Sequence, residues 1–585
     1  MTKKLKQFLP IIILIGIVFA IYAFNLNNRL FWDDDDWIIN NNSVHNISWD
    51  NIKFWFSENV LAGVGLKSNY YRPMLFFTFA VNYAISGIKP WSWHLLSNFL
   101  HIANGLMIFY LFSRFGAGRV AAFLTALVFL VHPIATEAVT YISGRGDPLY
   151  VFFGLAALLA FIKSQSPGSG ALAYRLTSYL ALVLALLSRE VAIIFPLLLI
   201  VAYIAFISKD RFWMSLKKGF VKSLPYLAIV VAYGVLRLTV LNFDNTLNFY
   251  GTQNIYSENL HVRLLTFMHV LADYVRLLVW PTGLHMERSM TVHTSLFQWP
   301  VWPVFLILLG LIGWLIFLYR KGKNTDFKVW FFGVAWFFIA LAPVSGITPI
   351  NAILYEHWLY LPLIGPWFIA AFYLVRLLNF LKLRNKTFLL IPCLLLLVAY
   401  LSFFAYQSIR RNILWGKPVE FFEDILKYEP NSARVNNNLG NLYFNQGDIE
   451  KAETSYRKTI AAGDIFAQPH YNIGSILQSR GDVEGAIEEF ERAIAVDPNF
   501  TYSYQNIAVL YVKKGNLVKA VEYLEQLKKL LPQYSRVYYN LALLYVARGD
   551  SKSALDNLSK GLTFANADPE AKTLIERLLS ELTKK

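Results

Sequence analysis

Up to Phe404 the chain is written in apolar blocks of about 17–22 residues joined by short charged loops, and after Phe404 the blocks thin out. A helix needs about 20 such residues to cross the hydrocarbon core of a bilayer. The pattern therefore demands spanning helices first and a different architecture after them. Composition agrees: 56% of the 585 residues are hydrophobic and only 16% are charged, which is too apolar for a soluble globular chain. Blocks at 8–26, 92–113, 119–134, 149–163, 171–188, 190–207, 221–242, 300–320, 328–346, 358–378 and 388–406 predict about eleven transmembrane helices. Met1–Leu26 reads as a retained first span, because its apolar run is long and no small-residue cleavage site follows. The single cysteine, Cys393, lies inside a block, so no disulfide forms within the chain.

The net charge of +16 is not a nucleic-acid signal, because many of the basic residues sit in short loops beside the blocks, where they set orientation. Lys3, Lys4 and Lys6 put the N-terminus in the cytoplasm. Arg114 and Arg119, Lys163 and Arg175, Lys209 to Lys222, Arg320 to Lys328, and Lys382 to Lys386 then share that side. This holds only if two further apolar segments do not cross. Segment 72–88 starts at Arg72-Pro73, contains Asn82 and ends at Gly87, as an interfacial helix would. Segment 262–281 is interfacial or re-entrant. The C-terminus is then extracytoplasmic, in a multi-pass protein for which a prokaryotic cytoplasmic membrane is favoured over an endoplasmic reticulum.

Beyond Tyr428 the chain repeats. Gly447, Gly481, Gly515 and Gly549 are 34 residues apart, each followed by Asp or Asn. Ala452, Ala486, Ala520 and Ala554 keep the same step, as do Asn438, Asn472, Asn506 and Asn540. Pro430, Pro498 and Pro532 close units in phase, with Asp464 in that place once. The glycine ends one helix, the alanine admits close helix approach, and the proline stops the second helix. This is the tetratricopeptide pattern, in which each unit buries its apolar face only against its neighbours. The domains are thus 1–410 in the membrane, a linker at 411–427, and about four repeats at 428–585. The four asparagines resemble the asparagine ladder of the O-GlcNAc transferase superhelix. An amide both donates and accepts, so they either grip a peptide backbone or bond neighbouring repeats.

The polar residues of the outer loops are the candidates for chemistry. Asp33, Asp34, Asp35 and Asp36 stand together directly after the first span. Acids so placed are costly unless solvated or used, and mutual repulsion raises at least one pKa toward that of a general base. A solvated acidic loop or a calcium site is the alternative. The second outer loop carries His132, Glu137, Arg145 and Asp147; Arg145 and Arg72 are outward cations against the positive-inside trend, suited to an anionic headgroup such as a phosphate. An Arg145–Asp147 ion pair that merely orders the loop is the bland reading. Arg189-Glu190 and Glu356-His357 add two more charged sets on the same face.

The order Asp-Asp, Tyr71-Arg72-Pro73, His94-Leu95-Leu96 with Asn98, His132-Pro133-Ile134-Ala135-Thr136-Glu137, Gly144-Arg145-Gly146-Asp147, Ser188-Arg189-Glu190, Glu356-His357-Trp358-Leu359-Tyr360-Leu361-Pro362 and then the repeats resembles the transmembrane and tetratricopeptide-repeat O-mannosyltransferases and their prokaryotic relatives. The resemblance covers nearly the whole chain. It implies an all-α fold with a GT-C-like membrane domain, and a sugar, mannose in the family, carried on a polyprenyl phosphate. It also implies transfer to Ser or Thr of a polypeptide outside the cytoplasm. The family's acidic pair falls on Asp33-Asp34 or Asp34-Asp35. The donor phosphate falls to Arg145, Arg72 or His132, with Arg189 and His357 as further cations and Glu137, Asp147, Glu190 and Glu356 as supporting acids. Two positions depart from the family pattern: His357 replaces the usual arginine, and Arg189 replaces a lysine.

The mechanism so implied is inverting and calls for no cofactor; a divalent metal stays open as an alternative. Asp34 or Asp35 deprotonates the acceptor hydroxyl, and Arg145 with its neighbours stabilises the leaving phosphate. The repeats bind acceptor polypeptide and raise its local concentration. The expected partners are a polyprenyl-phosphate-linked sugar, an acceptor polypeptide and membrane lipids, with no nucleic acid. The rivals are a non-enzymatic membrane scaffold, a glycosyltransferase with a lipid or glycan acceptor, and a transporter.

Overall fold

The computed structural model describes residues 3–66, 68–114, 118–166, 168, 170–243, 254–322, 324–348 and 352–583. Among them the regular structure is helical throughout. Contacts divide the chain into two units, Met1–Phe421 and Phe422–Lys585. The segment expected as a linker, 411–427, holds the end of helix Thr387–Trp415 and a short helix, Pro418–Leu426.

In the first unit ten helices among the described residues are long and apolar enough to span a membrane, from Phe8–Asn25 to Thr387–Trp415. The eleventh expected span is shorter than its block. Pro133 drives His132 into extended backbone, so the helix stops at Val131 and runs only from Arg119, 13 residues. At about 1.5 Å per residue it reaches about 20 Å, short of a hydrocarbon core of about 30 Å. Protein rather than lipid surrounds it: from Ala121 nearly every side chain is buried. Its last carbonyls are also satisfied, since His101 Nε2 lies 3.1 Å from Leu130 O and Ser408 Oγ donates to Val131 O at 2.8 Å. Backbone ends at membrane depth are tolerated when protein groups cap them.

This short helix carries the chain from one face of the unit to the other. One face gathers the basic loops: Arg114 and Lys163 both lie over the Tyr110 ring, Lys222 Nζ donates to Gln165 Oε1 at 2.5 Å, and Lys328 Nζ donates to Ser208 O at 2.9 Å. At the other end a buried polar knot joins distant segments. Asn25 Nδ2 donates to Asn98 Oδ1 and Thr140 Oγ1, both at 3.1 Å, and Thr140 Oγ1 donates to Asn412 Oδ1 at 2.5 Å. Asn28 Nδ2 donates to Asn412 O at 2.8 Å. The first span therefore ends beside the end of the last one. Segments 72–88 and 262–281 form helices Pro73–Ser86 and Leu260–Val279, and neither is among the ten.

In the second unit four helix pairs follow one another: Ala433–Asn445 with Ile449–Ala462, Ala467–Ser479 with Val483–Val496, Thr501–Lys513 with Leu517–Leu530, and Ser535–Ala547 with Ser551–Phe564. Helix Pro569–Thr583 comes last. The turn chemistry is identical in each pair. Gly447, Gly481, Gly515 and Gly549 have φ of 81°, 85°, 72° and 78°, values that L side chains resist. The next residue caps the second helix: Asp448, Asp482, Asn516 and Asp550 accept from the backbone N–H three residues on, at 2.9–3.2 Å. Ala452, Ala486, Ala520 and Ala554 are fully buried where the paired helices meet.

Candidate active site

The acidic motif is held in one register. Trp32 has φ of 66°, an uncommon conformation for a bulky residue. It turns the chain so that, of the four acids, only Asp34 points inward, 2% exposed, while Asp33, Asp35 and Asp36 stay exposed. Asp34 Oδ1 accepts from Ser143 N at 2.8 Å and from Ser143 Oγ at 2.5 Å; Oδ2 accepts from Phe31 N at 3.3 Å. Asp35–Ile39 then winds as a π-helical turn, a form frequent at functional sites. Burial pushes the Asp34 carboxyl up to about 7 against the pull of the Ser143 bonds. Repulsion from Asp33 adds least, so desolvation rather than crowding sets this value. Asp35 and Asp36, open at their tips, are raised as well, by partial desolvation first and by repulsion from the neighbouring acids second.

Behind the motif lies a lattice of acids and arginines whose pairing the sequence does not reveal. Glu190 takes Arg72 Nε on Oε2 at 3.2 Å and Tyr71 N on Oε1 at 2.9 Å. Asp147 pairs with Arg189 rather than with Arg145. Arg189 also donates to His357 Nε2 at 3.1 Å. That donation leaves the His357 proton on Nδ1, which meets Glu137 Oε1 at 2.5 Å. His357 is consequently neutral, and burial holds it down at about 3. It is not the cation expected from its position; it links Arg189 to Glu137. Glu137 is pushed up to about 7 by burial, against Arg411 and the His357 backbone N–H. Glu356, with no exposed surface, takes His285 N at 2.5 Å and Arg288 Nη2 at 2.8 Å on Oε1. Burial raises its pKa too, and Arg411 and Arg288 oppose the rise.

Two residues expected at the donor phosphate are committed elsewhere. Arg145 has no exposed surface and bonds Ser97 Oγ, Thr78 Oγ1, Asn82 Oδ1 and Trp93 O at 2.7–3.2 Å. Its guanidinium pins Pro73–Ser86 to Pro90–Arg114, which leaves it a positioning role. His132 is also fully buried: Nδ1 accepts from Ile134 N at 3.3 Å and Nε2 lies 2.9 Å from Leu278 O. One ring nitrogen closes the turn after the short helix and the other ties that turn to helix Leu260–Val279. Arg288 and Arg411, neither singled out from the sequence, both lie against Glu356, at 2.8 Å and 3.8 Å. Arg411 was findable by the signal that drew attention to Arg72, a cation on the outer face against the positive-inside trend; Arg288, in a long outer loop, carried no comparable mark.

Trp37, within the acidic motif, lies under Arg72 with 5.8 Å between cation and ring. Phe421 lies under Arg411 at 5.5 Å and packs against Trp32 at 6.1 Å. The motif is thus flanked by cations on two sides through aromatic walls. Among the described residues no group of three or more His, Cys, Asp or Glu is set to hold a metal ion.

In the second unit the four asparagines sit half-buried on the first helix of each pair. Asn472 Nδ2 donates to Asn441 Oδ1 at 3.1 Å and Asn506 Nδ2 to Tyr471 OH at 3.3 Å, each reaching the preceding repeat.

A Tetratricopeptide repeat family model matches residues 421–454 and another 501–534, and a TPR repeat model matches 474–515. Among solved structures, TTC0263, a thermophilic TPR protein of Thermus thermophilus, is 18% identical with a TM-score of 0.23, covering 31% of this chain and 95% of that one. Among curated proteins, Protein O-mannosyl-transferase F38B6.6 of Caenorhabditis elegans is 24% identical over 473 residues, 78% of this chain and 63% of that protein. Protein O-mannosyl-transferase TMTC3 of Mus musculus is 25% identical over 482 residues, 76% of this chain and 50% of that protein. The chain spans about half to two thirds of the length of these relatives. The C-terminal part of this chain is built of tetratricopeptide repeats, and the curated proteins it resembles along about three quarters of its length are protein O-mannosyl-transferases.

Proposed function

We propose that the chain is a membrane glycosyltransferase that moves mannose from a polyprenyl-phosphate donor to Ser or Thr of acceptor polypeptides outside the cytoplasm. The observation that carries the reading is the acidic turn itself: one carboxyl, Asp34, fixed by Ser143, buried, and raised to about 7. A base poised near the working pH is what hydroxyl activation requires. The relatives' names support the same reaction class.

The reaction is a single inverting displacement. Asp34 takes the acceptor hydroxyl proton, the freed oxygen bonds to the anomeric carbon, and the bond from that carbon to the phosphate oxygen breaks. The lipid phosphate leaves with the electron pair, and nearby arginines hold its charge. The basic loops gathered on the opposite face support a cytoplasmic reading of that face, and Asp34 then works outside. The repeats begin at Ala433, shortly after the last span ends on the Asp34 face. We read them as lying on that side, where Asn438, Asn472, Asn506 and Asn540 bind acceptor backbone.

The test is transfer by purified chain from polyprenyl-phosphate mannose to an acceptor polypeptide. Asp34→Asn is expected to lose about a hundredfold or more, and Asp36→Asn to stay within a few fold. Full activity in Asp34→Asn sinks the assignment.

A further inference from the structure

Arg411, 5% exposed, lies in the last turns of the last membrane helix, yet none of its three guanidinium nitrogens has a hydrogen-bond partner among the described residues. Glu356 Oε2 is 3.8 Å from Nη2 and is itself without a hydrogen bond. That separation is too long for a direct bond. A guanidinium keeps its proton and offers five donors in a fixed fork, and leaving such donors buried without acceptors is costly. The opening extends beyond one residue. Arg288 spends Nη2 on Glu356 and Gly283 O but leaves Nε open, and Arg189 also leaves Nε open. Arg145, by contrast, has all three guanidinium nitrogens bonded.

A folded protein that buries open arginine donors beside the acidic motif has a place for an anion. We infer that Arg411, with Arg288, forms an oxyanion site that takes a phosphate ester. A tetrahedral phosphate presents several acceptor oxygens and pairs bidentately with an arginine fork. Phe421 roofs the guanidinium and packs against Trp32, the residue before Asp33, so a phosphate held there lies next to the acids. The inference rests on the glycosyl-transfer reading for its meaning, since it assigns the donor's phosphate to Arg411 and Arg288 rather than Arg145; the site itself stands without that reading.

The experiment is equilibrium binding to purified full-length protein in nanodiscs, with farnesyl phosphate, inorganic phosphate and farnesol as probes. Farnesyl phosphate is expected to bind and farnesol not. Inorganic phosphate binding as well as farnesyl phosphate keeps the site and makes free phosphate its ligand. Arg411→Met is expected to weaken phosphate-bearing ligands by about tenfold or more, Arg411→Lys by less, and Arg410→Met, an exposed neighbour, not at all. Unliganded Arg411→Met melts lower than wild type, because Glu356 loses the cation 3.8 Å away, so binding is compared at a temperature where both proteins are folded, and recovery of binding in Arg411→Lys separates anion binding from a merely structural role. Unchanged farnesyl phosphate binding in Arg411→Met overturns the site, as does equal binding of farnesol. Transfer by wild type with Arg411→Met equally active also overturns the site while leaving the enzyme reading intact. Lost binding in the variant with no transfer by wild type from any lipid donor keeps the site and removes the reaction.

Discussion

Replacing Ser143 by alanine removes one donor from Asp34 and nothing else the acid depends on. The lost bond is Ser143 Oγ to Asp34 Oδ1 at 2.5 Å; the Ser143 N–H at 2.8 Å remains. A hydrogen bond to a charged group is worth about 1.5–3 kcal/mol, and it favours the ionised carboxylate. Taking about 2 kcal/mol at 1.36 kcal/mol per pH unit, the carboxyl titrates about 1.5 pH units higher in the variant. In wild type Asp34 sits at about 7, so it loses its proton as pH rises through neutrality and is protonated below it. The transfer rate should therefore fall on the acid side of pH 7. In Ser143→Ala that limb moves toward alkaline pH, leaving about 3% of the sites ionised at pH 7 instead of about half. The rate there drops about fifteenfold and recovers above pH 9. The assay is kcat/KM for sugar transfer from pH 5.5 to 10. A uniformly lower profile with an unmoved limb would refute Asp34 as the titrating base.

The other expectations concern the frame around that acid. Glu137→Gln exchanges the 2.5 Å charged contact with His357 Nδ1 for a neutral one, costing about 1–2 kcal/mol. Transfer should fall about tenfold at unchanged expression, and an unaffected rate would show that the Arg189–His357–Glu137 chain is dispensable. Gly365→Ala puts a methyl onto the Gly333 carbonyl where two membrane helices cross; about 1–3 kcal/mol of destabilisation follows, read as a lower melting temperature in detergent. Melting at the wild-type temperature would mean that the crossing can open freely. Asn472→Ala with Asn506→Ala should raise KM for a polypeptide acceptor several-fold and leave kcat alone. An unchanged KM would confine those amides to their bonds with Asn441 and Tyr471.

The repeats were legible because their determinants are local. A glycine at positive φ and a capping Asp or Asn one residue later define each turn within four residues, and a 34-residue period repeats the message. The spans were legible for the same kind of reason, with one informative exception. Pro133 ends a helix that hydropathy alone extends to residue 134, and the shortened helix is rescued by His101 and Ser408, which no local pattern connects to it. The site was legible only as a roster. Which aspartate faces inward is decided by Ser143, 109 residues away. Which outward arginine keeps open donors is decided by tertiary hydrogen bonds: Arg145 is consumed by Ser97, Asn82, Thr78 and Trp93, while Arg411 has no hydrogen-bond acceptor among the described residues. The charge of His357 follows from Arg189 donating to it, a contact across 168 residues.

The measurement closest to the central claim is a donor exchange with the purified chain reconstituted in lipid. One arm receives mannose on polyprenyl phosphate, the other receives a nucleotide-linked mannose, and both receive the same Ser/Thr-rich polypeptide. Mass spectrometry should find hexose on Ser or Thr in the first arm only, and Asp34→Asn should abolish it. Sugar transferred from the nucleotide donor, or transferred equally well without Asp34, would contradict the account.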